Sequence, residues 1–157
     1  MIFIFDTNSL SNILNHYYAS HFPSFWDRFD LMIKSKNIIS VREVYNELTN
    51  RFEEDKIERI MNENSEFFAN PTIDELNFIT QIYAVQHFQQ NLDKERILSG
   101  GFFADPVVIA KAWKLKASVV TEEENKPNAA RIPNICDHFN IPCLKFEGFL
   151  NENDWTF

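Results

Sequence analysis

The chain has 157 residues, 45% of them hydrophobic with 16 Phe, and a formal net charge of −8. That supply of apolar side chains excludes global disorder and suits one domain with one core. The acidic balance excludes a protein that grips nucleic acid by bulk electrostatics, though not one that reaches phosphates through bound metal ions.

Residues 2–5 read as a short buried strand, apolar without interruption, that ends in Asp6. A helix opens near Ser9, and a second runs from about Ser24 to Lys34 with Phe25, Trp26, Phe29 and Ile33 on one side. Asn37-Ile38-Ile39 is a second strand. Ser40 followed by Glu43 has capping-box spacing and predicts a helix through Val44, Glu47 and Leu48. A further helix covers about Glu53–Phe68. Thr72 with Glu75 forms another capping box, opening a helix that runs to about Leu92. Ser99-Gly100-Gly101 breaks the pattern. Asp105-Pro106 then starts a helix, with Asp as the cap and Pro at the first helical position. Ala117–Val120 is a third strand, ending in Thr121-Glu122-Glu123-Glu124. A helix near Asn134–Phe139 leads to a last strand, Pro142–Lys145.

Strands separated by helices predict an α/β fold, a three-layer α/β/α sandwich with a short, mainly parallel sheet, in one domain over 1–157. No apolar run approaches the roughly 18–20 residues of a membrane span. A signal-peptide pattern is missing and cysteines number only two, which predicts a cytoplasmic protein. Cys136, His138 and Cys143 match no standard zinc spacing and lack a fourth ligand, so both thiols read as core residues. The four histidines read as unrelated surface or boundary positions.

In an open parallel sheet, ligands bind beyond the carboxyl ends of the strands. Asp6 and the Thr121–Glu124 cluster lie just past two strands, Asp105 heads a helix that should pack beside them, and Glu47 ends the helix after the second strand. Four acids from distant parts of the chain are thus expected on one rim. Clustered carboxylates repel unless a cation neutralises them, and an all-oxygen donor set favours Mg²⁺ or Mn²⁺. The matching chemistry is metal-assisted attack of water on a phosphodiester.

Asp6-Thr7-Asn8 after an N-terminal strand, Val44-Tyr45-Asn46-Glu47-Leu48, Asp105 heading a helix, and Val120-Thr121-Glu122-Glu123 after a strand resemble PIN-domain ribonucleases, of which the VapC-type toxins of toxin–antitoxin pairs are bacterial members. The resemblance runs from Met1 to about Leu144. It implies Asp6, Glu47, Asp105 and Glu123 as catalytic, metal-binding acids holding one or two ions, with Thr7 or Asn8 steadying Asp6 and Thr121 orienting the last acid or a phosphate. It implies an endoribonuclease that leaves a 5′ phosphate and a 3′ hydroxyl. For a toxin it further implies an antitoxin partner and a homodimer. The family's usual last motif is Thr-x-Asp, and Glu123 departs from it by one methylene. The helical insertion at about 50–98 also points to a less-studied, PIN-like branch.

Each acid has a plainer reading beside it. Asp6 and Asp105 could be helix caps, although Ser9 would cap the first helix equally well. Glu43 shares a helix face with Glu47 but already has a capping task, which leaves Glu47 as the ligand and Glu43 beside it. Among Glu122, Glu123 and Glu124, spacing from Thr121 selects Glu123, and an acidic turn is the alternative for all three. Lys94 with Arg96, and Lys111, Lys114 and Lys116, form two basic groups that could track an RNA backbone. Two other functions compete. A phosphatase with Asp6 as covalent nucleophile needs an acid where Asn8 stands. A PIN-like binding module that has lost turnover would act through a protein partner.

Overall fold

Phe3–Phe5 (β1) is the middle strand of a five-stranded, all-parallel sheet of order β3-β2-β1-β4-β5. Residues 1–92 and 103–157 are described by the structure, a computed structural model. In chain order the elements are β1, helix α1 (Thr7–His16), α2 (Pro23–Lys34), β2 (Ile38–Val41), α3 (Arg42–Thr49), α4 (Glu54–Glu63) and β3 (Phe68–Ala69). Then follow α5 (Ile73–Ala84), a 3-10 turn (Gln86–Asn91), α6 (Ala104–Leu115), β4 (Ser118–Val120), α7 (Ile132–His138), β5 (Cys143–Leu144) and α8 (Phe146–Glu152). Helices flank the sheet, giving the three-layer α/β/α sandwich.

The strands are short because each has to cross only the core. Phe3 pairs with both Ile38 and Ser118, and Phe5 with Val120, so β1 is hydrogen-bonded on both edges. Its side chains alternate between layers. Phe3 and Phe5 meet Phe149 of α8 edge-on at 4.9 and 5.1 Å, and Phe5 meets Phe29 of α2 at 5.6 Å. Ile4, fully buried, alternates to the other layer, where α6 lies over β1, β2 and β4. A strand buried on both faces reads as an unbroken apolar run.

Several local expectations need correction. Ser40 and Glu43 do not form a capping box. Ser40 lies inside β2, where its hydroxyl donates to the carbonyl of Phe5 at 2.7 Å, and α3 starts after Val41 without a side-chain cap. The box at Thr72 and Glu75 is present with both of its hydrogen bonds. The segment expected to be helical to Phe68 stops at Glu63 and returns to the sheet as β3, paired through Ser40–Phe68. Two residues carry too little alternation to be read as a strand. The helix expected to reach Leu92 ends at Ala84 and tightens into the 3-10 turn.

The C-terminal end forms α8, which sequence periodicity did not show, and the aromatic tail folds back on its own domain. Trp155 lies 5.3 Å from Phe149 and 6.0 Å from Phe25, and Phe157 lies 5.7 Å from Phe25. Cys136 is buried and Cys143 half-buried, both as free thiols. Among the described residues no helix is long and apolar enough to cross a membrane.

Because Trp155 covers rings that seat β1, Trp155→Ala should lower unfolding free energy by about 2 kcal/mol, read as a lower urea midpoint at unchanged slope.

Candidate active site

The order β3-β2-β1-β4-β5 reverses direction between β1 and β4, and open α/β sheets bind ligands in the crevice outside such a switch point. Asp6 follows β1 and Thr121 follows β4 there, joined by a hydrogen bond from the Thr121 hydroxyl to Asp6 Oδ2 at 2.6 Å. A cavity of about 260 Å³ opens beside them, lined by Asp6, Glu47, Asp105 and Glu123, with Thr7, Asn8, Arg51, Asn91 and Phe103. All four acids therefore converge, each delivered by a different segment.

Asp6 is 2% exposed and is the N-cap of α1, a task the sequence had also offered to Ser9. Ser9 instead supports it: its backbone N–H and its hydroxyl both donate to Asp6 Oδ1, at 2.8 and 2.7 Å. The carboxylate is thus both cap and pocket wall. The Thr7 hydroxyl donates to Glu47 Oε2 at 2.5 Å, fixing that side chain from across the cleft, while Asn8 is exposed at the rim. Asp105 does not cap its helix. The first helical residue is Ala104, preceded by Phe103, so Asp105 lies in the first turn with its carboxylate aimed elsewhere. Asn91 Nδ2 donates to Asp105 Oδ2 at 3.0 Å, and the Tyr83 hydroxyl donates to Asn91 Oδ1 at 3.2 Å. The segment after β3 thereby reaches the site.

The acidic turn sorts itself by what each side chain accepts. Glu123 Oε2 takes the N–H of Ile132, the first residue of α7, at 3.0 Å, and its own N–H donates to the Thr121 hydroxyl at 3.2 Å. Glu122 Oε1 takes the N–H of Phe146 at the start of α8, and Glu124 is exposed and paired with Lys145. Only Glu123 of the three lines the cavity.

Glu43 is not brought to the site. One turn before Glu47, it turns towards Lys111 and Glu75, and burial raises its carboxyl above the usual range. The second basic group is also mostly engaged. Lys111 is buried in an ion pair with Glu75 at 2.9 Å, and Lys114 pairs with Asp74. Lys94 and Arg96 lie outside the described residues. His87 and His138, expected to be unrelated, both flank Phe88, with ring centroids 5.9 and 5.1 Å away, in a hollow apart from the acids.

Sequence reasoning missed Arg51, Asn91 and Tyr83. Arg51 falls four residues after Glu47, the one signal that placed it near the site. For Asn91 and Tyr83 the sequence carried no signal, because their position depends on the break at Val85.

Crowding shows in the protonation equilibria. Burial, then the charges of Glu123, Asp6 and Glu47, push Asp105 up to about 7 against the pull of the Asn91 hydrogen bond. Burial raises Asp6 to about 6, against the Thr121 and Ser9 hydrogen bonds and with a smaller push from Glu123. Burial and the Asp105 charge also raise the Tyr83 phenol.

Oxygen-only donors and excess negative charge suit a hard divalent cation. Among the described residues, no three such side chains stand close enough to hold an ion as they are. Mg²⁺ commonly takes one or two carboxylates and completes its shell with water and substrate oxygens, so the donor set fits without a preformed cage.

The fold and this pocket define an all-parallel α/β protein with an acidic cleft at its topological switch point. The sequence profile of the family described as Domain of unknown function (DUF4411) matches residues 3–157, and the chain belongs to that family. No curated protein and no solved structure matches it.

With folded values of about 6 for Asp6 and about 7 for Asp105 against 3.8 when unfolded, both carboxyls hold protons in the folded state that the unfolded chain has released. Their stabilising contribution is complete below the unfolded value and is lost as pH rises through the folded ones. The metal-free protein should therefore be less stable at about pH 8 than at about pH 5. Asp105→Asn should flatten this dependence and gain on the order of 1 kcal/mol at the higher pH, read by urea denaturation.

Proposed function

We propose that the protein is a Mg²⁺- or Mn²⁺-dependent endoribonuclease of PIN-like type that hydrolyses RNA phosphodiester bonds. The observation that supports this most is the convergence of Asp6, Glu47, Asp105 and Glu123 on one pocket, close enough for three of them to raise the fourth. Asp6 and Asp105 would hold the cation, each with its carboxylate oriented by a neighbour, and Glu47 and Glu123 would reach it directly or through water. A bound divalent ion supplies Lewis acidity, neutralising charge on the phosphoryl oxygens and lowering the pKa of the attacking water.

The chain's own residues prepare that chemistry. Thr7 and Thr121 fix Glu47 and Asp6 by short hydrogen bonds, so little reorganisation is needed at the moment of reaction. Among the described residues Arg51 is the cation that lines the pocket, where it would meet a substrate phosphate. Asn8 is a second polar group at the exposed rim. Action as a cytoplasmic toxin, with an antitoxin partner and a homodimeric state, belongs to the same proposal. The competing reading, a binding module without turnover, draws on the want of a preformed three-carboxylate cage among the described residues.

A Mn²⁺ titration separates the two. Mn²⁺ at about 100 times its dissociation constant should stabilise the wild type by about 2.7 kcal/mol in thermal unfolding. Asp6→Asn and Asp105→Asn should lose this stabilisation together with metal-dependent cleavage of a panel of structured RNAs. Full cleavage by both variants contradicts the assignment; no stabilisation and no cleavage in the wild type supports the module. Asn91→Ala, which frees Asp105 without removing it, should stay folded and weaken Mn²⁺ binding and turnover about tenfold.

A further inference from the structure

Away from the acids, towards the amino ends of β1, β2 and β3, lies a larger hollow of about 680 Å³. It exists because α6 covers β1, β2 and β4, and beyond its Lys111–Leu115 edge the sheet face towards β3 is left open. Ile2, Ile39 and Phe68 form an apolar floor, with Leu115, 39% exposed, as one wall. The two isoleucines are only half-buried although they belong to the central sheet layer. Volume and floor are those of a small-molecule site.

The lining reverses the charge of the chain. The sequence has 23 acids against 15 Lys and Arg, yet among the described residues Lys36, Arg42 and Lys111 line this hollow against one acid, Glu66. Glu66 is bound to Lys36 at 2.5 Å. Arg42 is held over the Tyr45 ring at 4.6 Å; the Glu43 carboxylate feels its charge, but among the described residues the guanidinium makes no close ion pair. Lys111 is 5% exposed, and its ammonium is ion-paired with Glu75 and donates to the carbonyl of Asn70. A guanidinium held over an aromatic ring and a buried ammonium therefore line the same hollow as the apolar floor.

We propose that this hollow binds a small amphipathic anion: an apolar body laid on Ile2, Ile39 and Phe68, with a phosphate or carboxylate head taken by Arg42 and Lys111. Heads that present two oxygens side by side match the guanidinium fork, which an ammonium alone would not select. The site is separate from the acidic pocket and independent of the reaction proposed there.

The probe is 8-anilinonaphthalene-1-sulfonate, an aromatic body with one anionic group, titrated by fluorescence into the folded, metal-free protein. One saturable site is expected. Arg42→Gln and Leu115→Glu should each weaken it about tenfold with unchanged circular dichroism, while Asp105→Asn leaves it unaltered. Phenyl phosphate and benzoate should displace the dye, and the one that does so at lower concentration identifies the head group. Unsaturable binding, equal binding by both variants, equal binding of the uncharged N-phenyl-1-naphthylamine, or failure of both competitors would overturn the proposal.

Discussion

A carboxylate almost wholly withdrawn from water must be compensated or it neutralises itself, and Asp6 is compensated by three hydrogen bonds, two from a helix start and one from a strand end. Ser9 comes from the helix that Asp6 itself caps, and Thr121 from the end of β4. Thr121 can reach Asp6 only while β1 and β4 stay paired in the register Phe5–Val120. The aromatic layer of Phe25, Phe29, Phe146, Phe149 and Trp155 is what holds β1 in that register. Core packing and pocket geometry are therefore one construction: the rings seat the strand, and the strand places the charge.

The compensation is incomplete by the measure of protonation. Asp105 and Asp6 both sit well above an ordinary aspartate, and for Asp105 the neighbouring acids contribute as well as burial. A fold that selects only for stability would not place four acids around one cavity when apolar side chains of similar volume cost less. Their convergence therefore supports a ligand that supplies positive charge. The segment between β3 and α6 takes part too: Tyr83, near the end of α5, holds Asn91, and Asn91 aims Asp105 from a turn that exists only because α5 stops at Ala84. Within the stretch that reads in the sequence as a helical insertion lie α4, the edge strand β3, and α5 with the turn that supports the site.

Legibility in the sequence followed the physics of each signal. The buried strands β1, β2 and β4 were plain because a parallel strand covered on both faces is apolar throughout, and the Thr72–Glu75 box because its two hydrogen bonds are local. The four acids could be placed on one rim because strand ends and helix starts are local features and the sheet's topology does the rest. The Ser40–Glu43 box failed because Ser40 found a stronger partner in the Phe5 carbonyl, thirty-five positions away in sequence. Asp105 read as a cap because Asp-Pro is a good cap locally; its partner Asn91 depends on tertiary structure. β3 and α8 are too short for periodicity to register, and the hollow beside α6 arises from what fails to cover the sheet, which no pattern of residues announces.

In the proposed function, Asp6 and Asp105, with Glu47 and Glu123 behind them, would hold a hard divalent ion between the ends of β1 and β4. Anomalous diffraction from crystals soaked in Mn²⁺ tests it most directly. A manganese peak within coordinating distance of the Asp6 and Asp105 carboxylates is the predicted result; manganese bound elsewhere, with this pocket holding only water, would contradict it.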